Sequence, residues 1–121
     1  MAAADLPDRR TLGADAEARA AQLLRHAGFE VLLQNYRWRG GELDLVARRG
    51  TLLVIAEVRL RSSLRFGGAA ASITAAKRQR LRRTAQHLLA RHREFAGLQL
   101  RFDALLAAGA QAPLEWLQGV M

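Results

Sequence analysis

Two short runs constrain this chain most. Gly41-Glu42-Leu43-Asp44-Leu45-Val46 and Ile55-Ala56-Glu57-Val58-Arg59 each interleave charged residues with apolar ones. That alternation is the pattern of a strand, in which residues i and i+2 share a face and lie roughly 6–7 Å apart. Glu42 and Asp44 are therefore expected to point one way from the first run, and Glu57 and Arg59 one way from the second. Arg49-Gly50 between them reads as a tight hairpin turn, because glycine adopts φ > 0 without strain. Pairing across that turn lets Asp44 and Glu57 meet on one face. Carboxylates that converge in an apolar sheet repel one another, and burying them unpaired is costly. A hard divalent cation such as Mg²⁺ is their natural partner. The alternative is a solvated sheet face, and spacing alone leaves both open.

The totals narrow the classes. A chain of 121 residues, half of them apolar, is expected to form one domain with a workable core. Cysteine is absent, which excludes disulfides and thiolate chemistry and fits a reducing compartment. Leu52 to Ala56, an apolar run as long as any in the chain, is far too short to span a membrane. Met1 to Asp8 carries Asp5 and Asp8 and no apolar stretch of the secretory kind, so a cytoplasmic location is expected. The net charge of +8 comes from 19 basic and 11 acidic residues, and all but one of the basic residues are arginine. Such a surplus favours polyanionic partners, nucleic acid first. GC-rich coding would account for arginine over lysine better than for the surplus over acids.

Along the chain, Met1 to Leu12 lacks periodicity and reads as a flexible tail, leaving 13–121 as the domain. Gly13 to Ala27 reads as a helix with the stripe Ala16, Ala20, Leu23, Leu24 and Ala27, ended by Gly28. Glu17 lies at the edge of that stripe, either solvated or leaning over a neighbouring sheet. Phe29 to Trp38 alternates as a strand, with Phe29, Val31 and Leu33 on one face. Gly40-Gly41 and Arg49-Gly50 then turn a three-strand meander ending near Leu60. Arg61 to Ser72 reads as a loop beside the Glu57 strand. Ser72 or Thr74 can cap a helix running to about Phe95. Lys77, Arg78, Arg80, Arg82 and Arg83 crowd its first half with no acid before Glu94. Like charge this dense disfavours a helix unless an anion screens it. Leu98 to Ala107 is a further strand, able to lie parallel to the meander after the helical crossover. Leu114 to Leu117 is a short last element.

These residues carry a resemblance. The chain resembles the YraN-like family of small bacterial proteins, placed in the restriction-endonuclease-like, PD-(D/E)xK nuclease superfamily. The matching pieces are Gly13-x-x-x-Glu17-x-x-Ala20, Gly28-Phe29, Asn35-Tyr36-Arg37, Gly41 to Val46 and Glu57-Val58-Arg59-x-Arg61, continued by Phe66-Gly67, Lys77 and Arg101-Phe102-Asp103. The resemblance implies an α/β fold with an αβββαβ core, a mixed sheet flanked by helices. It implies Mg²⁺ or Mn²⁺ as cofactor, held by Asp44, Glu57 and the Val58 carbonyl, with Glu17 approaching the same ion. It also implies DNA as partner, and a homodimer, as in junction-cutting relatives. Arg59 departs from the pattern, which expects lysine there to orient the attacking water or stabilise the phosphorane. Arginine suits phosphate but cannot accept a proton. If proton removal falls to this position the site is dead; if the cation acidifies water unaided, activity survives. The last segment lacks the expected histidine and is read as packing only.

Other candidates weigh less. His26, His87 and His92 have no metal spacing and read as helix-surface residues. Ser62-Ser63 has no base in view. Tyr36 and Trp38 flank Arg37 and Arg39, which would suit base stacking, but partial burial in the core explains them better. Asp103 reads as the partner of an arginine. Three functions follow: Mg²⁺-dependent phosphodiester hydrolysis using Asp44, Glu57, Arg59 and Glu17; a non-catalytic nucleic-acid-binding module; and a protein scaffold docking through Arg61 to Ser72. Arg61, Lys77, Arg78, Arg80, Arg82 and Arg83 are the expected backbone contacts in the first two.

Overall fold

The computed structural model describes residues 9–60, 74–107 and 113–120. Arg61 and the loop to Ser72 lie outside them. The elements are α1 (Arg9–His26), β1 (Glu30–Trp38), β2 (Gly41–Arg49), β3 (Leu52–Leu60), α2 (Ala75–Arg91), β4 (Gln99–Ala107) and β5 (Leu114–Leu117), with a 3-10 turn over Arg93–Phe95. The first helix thus starts at Arg9 rather than Gly13. The second stops at Arg91, and the stretch to Phe95 tightens into the 3-10 turn.

The five strands form one sheet in the order β1-β2-β3-β4-β5. β1, β2 and β3 are an antiparallel meander, β4 lies parallel to β3, and β5 is antiparallel to β4. Gly50 has φ 60 in the predicted β2–β3 turn, and Gly28 has φ 90 at the end of α1. The first hairpin turns on Arg39-Gly40, since Trp38 already pairs with Gly41.

The helices cover opposite faces. Ala20, Ala21 and Leu24 of α1 pack on Leu45, Ala47, Val54 and Ala56. Leu81, Ala85 and Leu88 of α2 pack on Leu43, Val46, Leu53 and Ile55. Burial of such side chains contributes about 1.5–3 kcal/mol each, so the two-layer cover stabilises the sheet on both sides.

Simple alternation fails in two places. β1 bulges between Val31 and Leu33. Phe29 and Val31 therefore pack under α1 while Leu33 packs under α2, which corrects the single predicted face. The second break is at Asp44. Leu43 and Val46, three residues apart, both pack under α2, whereas Leu45 packs under α1. Gln34 pairs with Leu45 and Tyr36 with Leu43, so Asn35 stands opposite Asp44, and Asn35 has φ 55. Asparagine is the non-glycine residue that best tolerates this conformation. The pleat is broken where the acid must leave the sheet plane.

Candidate active site

Asp44 and Glu57 do meet. Leu45 pairs with Ala56, which sets Asp44 opposite Glu57 across the β2–β3 ladder. The Val58 amide donates to Asp44 Oδ2 at 2.8 Å, and the two carboxyl groups hydrogen-bond each other. Arg59 Nη2 lies 3.1 Å from Glu57 Oε1, so Glu57 and Arg59 share a face as the spacing predicts. It is the amide of Val58 that touches Asp44; the predicted role was for its carbonyl.

Burial is the main cause that raises both acids. Asp44 is held above the ordinary carboxylate range by desolvation, offset in part by the Val58 amide. Glu57 is pushed up to about 8 by desolvation and then by the charge of Asp44, and Arg59 only partly counters this. Two carboxyl groups this close cannot both ionise in a drying environment, so they retain a proton between them. A divalent cation can replace that proton. Mg²⁺ needs oxygen ligands and is commonly bound by one or two carboxylates with substrate phosphate and water completing its shell. The Asp44–Glu57 pair fits such an ion.

Glu17 stands further out. Among the described residues no three histidine, aspartate or glutamate side chains are gathered closely enough to hold an ion. The predicted direct ligation by Glu17 beside Asp44 and Glu57 is therefore not assembled. Instead the Asn35 amide, oriented to donate, bridges Glu17 Oε2 at 3.2 Å and Glu42 Oε1 at 3.1 Å. Burial raises the pKa of Glu17 first, and the charge of Asp44 second, so the two sense each other. α1 carries Glu17 on the rim of its buried stripe. Glu42 is also tied to Arg37 across the β1–β2 hairpin at 3.2 Å.

A pocket of about 110 Å³ opens beside the acid pair. Glu42, Glu57 and Arg59 form its sheet wall, and Lys77, Arg80 and Leu81 of α2 form the other. The helix can come this close because residue 41 is glycine. A Cβ there would lie 2.6 Å from Thr84 Oγ1. Thr84 is fully buried and its hydroxyl donates to the Arg80 carbonyl at 2.8 Å. Thr74 caps α2, its side-chain oxygen accepting from the Lys77 amide at 3.2 Å. Lys77 is held below the ordinary lysine range by burial and then by Arg59. Arg78 is half-buried, while Arg80, Arg82 and Arg83 are exposed. Arg59 Nε is buried without a hydrogen-bond partner.

Sequence reasoning missed Asn35, Gly41 and Thr84. Asn35-Tyr36-Arg37 is visible as a motif piece, yet no local signal shows the φ 55 that aims it. His87 is more than a surface residue. Its Nδ1 is 2.8 Å from the Tyr36 hydroxyl, and Trp38 stacks on its ring at 4.6 Å. Tyr36 packs against the α2 core as expected. Asp103 does pair with an arginine: Arg101 Nε and Nη2 both donate to it. β5 packs through Trp116, whose ring meets Phe29 edge-on at 6.0 Å.

The mixed sheet, the helix on each face and the αβββαβ order define an α/β protein with a restriction-endonuclease-like core. Its acid pair lies between the adjacent antiparallel strands β2 and β3. The chain belongs to the uncharacterised protein family UPF0102, the YraN family, whose profile matches residues 16–107. It is 50% identical over 110 residues to a UPF0102 protein of Methylobacillus flagellatus, covering 90% of this chain and 95% of that one. It is 50% identical over 107 residues to one of Nitrosomonas europaea, covering 88% and 89%. A UPF0102 protein of Xanthomonas campestris is 46% identical over 110 residues, covering 91% and 90%. Among the described residues no helix is long and apolar enough to cross a membrane.

Proposed function

We propose that this protein hydrolyses phosphodiester bonds of nucleic acid, DNA first, at the Asp44–Glu57 pair with Mg²⁺ or Mn²⁺. One observation carries the reading. Two neighbouring, largely buried acids stand beside a pocket that Glu57 lines together with the cations Arg59, Lys77 and Arg80. That juxtaposition suits a cation and a phosphate together, and nothing else in the described residues calls for it.

The divalent ion would neutralise the two carboxylates and draw electron density from the bound phosphate. Asp44, fixed by the Val58 amide, and Glu57, fixed by Arg59, supply the oxygens that hold it. In the reaction a water oxygen bonds to phosphorus and one ester P–O bond breaks. The leaving oxygen takes up a proton and becomes a hydroxyl, while the other fragment keeps the phosphate and releases the remaining proton at neutral pH. Arg59 lines the pocket, and its guanidinium can donate to a phosphate oxygen as negative charge grows there. The exposed Arg82 and Arg83, with Arg78, face outward from α2 to meet flanking backbone. Glu17 and Glu42, bridged by Asn35, add negative charge beside Asp44 that a cation would offset. A homodimer belongs to this reading, and solution mass tests it.

Incubation with branched and linear DNA, with Mg²⁺ or Mn²⁺, tests the proposal. Cleavage that disappears in Asp44→Ala supports it. Cleavage that persists in Asp44→Ala, or none on any substrate, removes it.

A second reading is a nucleic-acid-binding module without turnover. Arg59 favours it, because its 3.1 Å contact to Glu57 competes with a cation for that carboxylate. Arg59→Lys separates the two: cleavage gained on that change points to a degenerate site.

A further inference from the structure

We propose that Lys77 is a catalytic residue of this site: its ammonium reaches the reacting phosphate from α2, taking the place left vacant by arginine at position 59. The proposal rests on the nuclease reading above and goes beyond it by moving Lys77 from the backbone contacts to the chemistry.

Composition is the first support. The chain has 19 basic residues, and Lys77 is its sole lysine. Arginine serves every other basic position, including Arg78, Arg80, Arg82 and Arg83 on the same helix. Arginine binds phosphate backbone at least as well as lysine does, through its planar fork. Backbone contact therefore gives no reason for a single exception. A primary ammonium differs in being a compact charge with three rotatable donors. Beside Arg59 in a pocket of about 110 Å³, compactness matters.

Position is the second support. Lys77 lies one helical turn before Leu81, which is buried under α2, so Lys77 continues the face that meets the sheet. It lines the pocket together with Glu57 and Arg59. Gly41 lets the helix approach, and the Thr74 cap fixes the turn that carries Lys77.

Availability is the third. Among the described residues four ion pairs form, and Lys77 is in none of them. Arg59 engages Glu57 through Nη2, and its buried Nε has no hydrogen-bond partner. Arg59 and Lys77 repel each other across the pocket, Glu57 only partly offsets this, and a phosphate would relieve both. Lys77 acts as the charged ammonium, so the role needs no proton transfer by it. As the water oxygen bonds to phosphorus and the ester P–O bond breaks, Lys77 and the Arg59 guanidinium each donate to a non-bridging oxygen.

Three variants test this: Lys77→Met, Lys77→Arg, and Lys77→Met combined with Arg59→Lys. Single-turnover cleavage at saturating enzyme is expected to fall about 10²-fold or more in Lys77→Met and Lys77→Arg. DNA affinity measured in Ca²⁺, and its salt slope, should barely change. The combined variant should regain part of the rate. Unchanged cleavage at saturation, with weaker binding and a salt slope smaller by about one, would overturn the proposal and return Lys77 to backbone contact. If no form of the protein cleaves DNA, the nuclease reading fails and a second readout judges Lys77 alone. Isotope labelling of lysine gives one side-chain NMR signal from this chain. Movement of that signal on adding inorganic phosphate, abolished in Arg59→Ala, supports an anion held by Lys77 and Arg59. A signal that ignores phosphate overturns it.

Discussion

Two acid sites lie on neighbouring strands, since Asp103 pairs with Ala56, the residue before Glu57, and they differ in how well the fold satisfies them. Asp103 is fully buried, yet each of its oxygens is taken. Arg101 grips it with two donors, at 2.9 and 2.8 Å, Trp116 Nε1 donates at 2.9 Å and the Gly119 amide at 2.9 Å. Asp44 has one backbone amide, and Glu57 has one arginine and the neighbouring acid. The first site is closed and ties β5 and the chain after it to β4. The second has fewer direct donors, although cations stand close by. A buried aspartate satisfied completely at one place, and a pair left wanting at another, is the contrast that the proposed ligand site would show.

The contrast can be broken most strongly at the closed site. Asp103→Ala should destabilise the protein by about 3–5 kcal/mol, because it strands Arg101 and two further donors. Denaturant unfolding checks this, and a loss under about 1 kcal/mol would mean that the clamp is decorative.

At the open site the sign reverses. Glu57 has a folded pKa raised from 4.5 to about 8. The native state then binds the proton more tightly than the unfolded chain. Its contribution is fully present below about pH 4.5 and is lost as pH rises to about 8, on the order of 2–4 kcal/mol in the metal-free protein. Glu57→Gln should flatten that fall and make the protein more stable than wild type at pH 8. A wild-type stability that rises across this window would show that the pair is not strained.

Smaller effects sharpen how α2 is placed over the open site alone. Gly41→Ala pushes a methyl against Thr84 Oγ1 and should cost about 1–3 kcal/mol. Adding Thr84→Ala should return part of this, since the clashing oxygen is gone. Thr74→Ala removes the cap of α2 and should cost about 1 kcal/mol, read by thermal unfolding. Neither change touches the Asp103 clamp, so in a Trp38→Phe background the Trp116 fluorescence should stay native in both.

Much of this was legible in the sequence where local rules govern. Alternating acids, a glycine turn and a helical crossover suffice for the αβββαβ order and for the Asp44–Glu57 meeting. The Leu33 face was missed because a bulge shifts the period by one residue, and no residue type announces it. Asn35 was missed for a similar reason: its role comes from φ 55 and from two acids on other elements. Thr84 and Gly41 matter only as a pair across 43 positions, which periodicity does not reach. How far Glu17 stands from the acid pair was not legible either, because motif order carries no distance.

Crystals soaked in Mn²⁺ and measured for anomalous scattering test the central idea most directly. The account predicts one strong peak bonded to carboxylate oxygens of both Asp44 and Glu57, with Arg59 turned toward the pocket. A map at saturating Mn²⁺ with no peak there, and the two acids still joined by their proton, would contradict it.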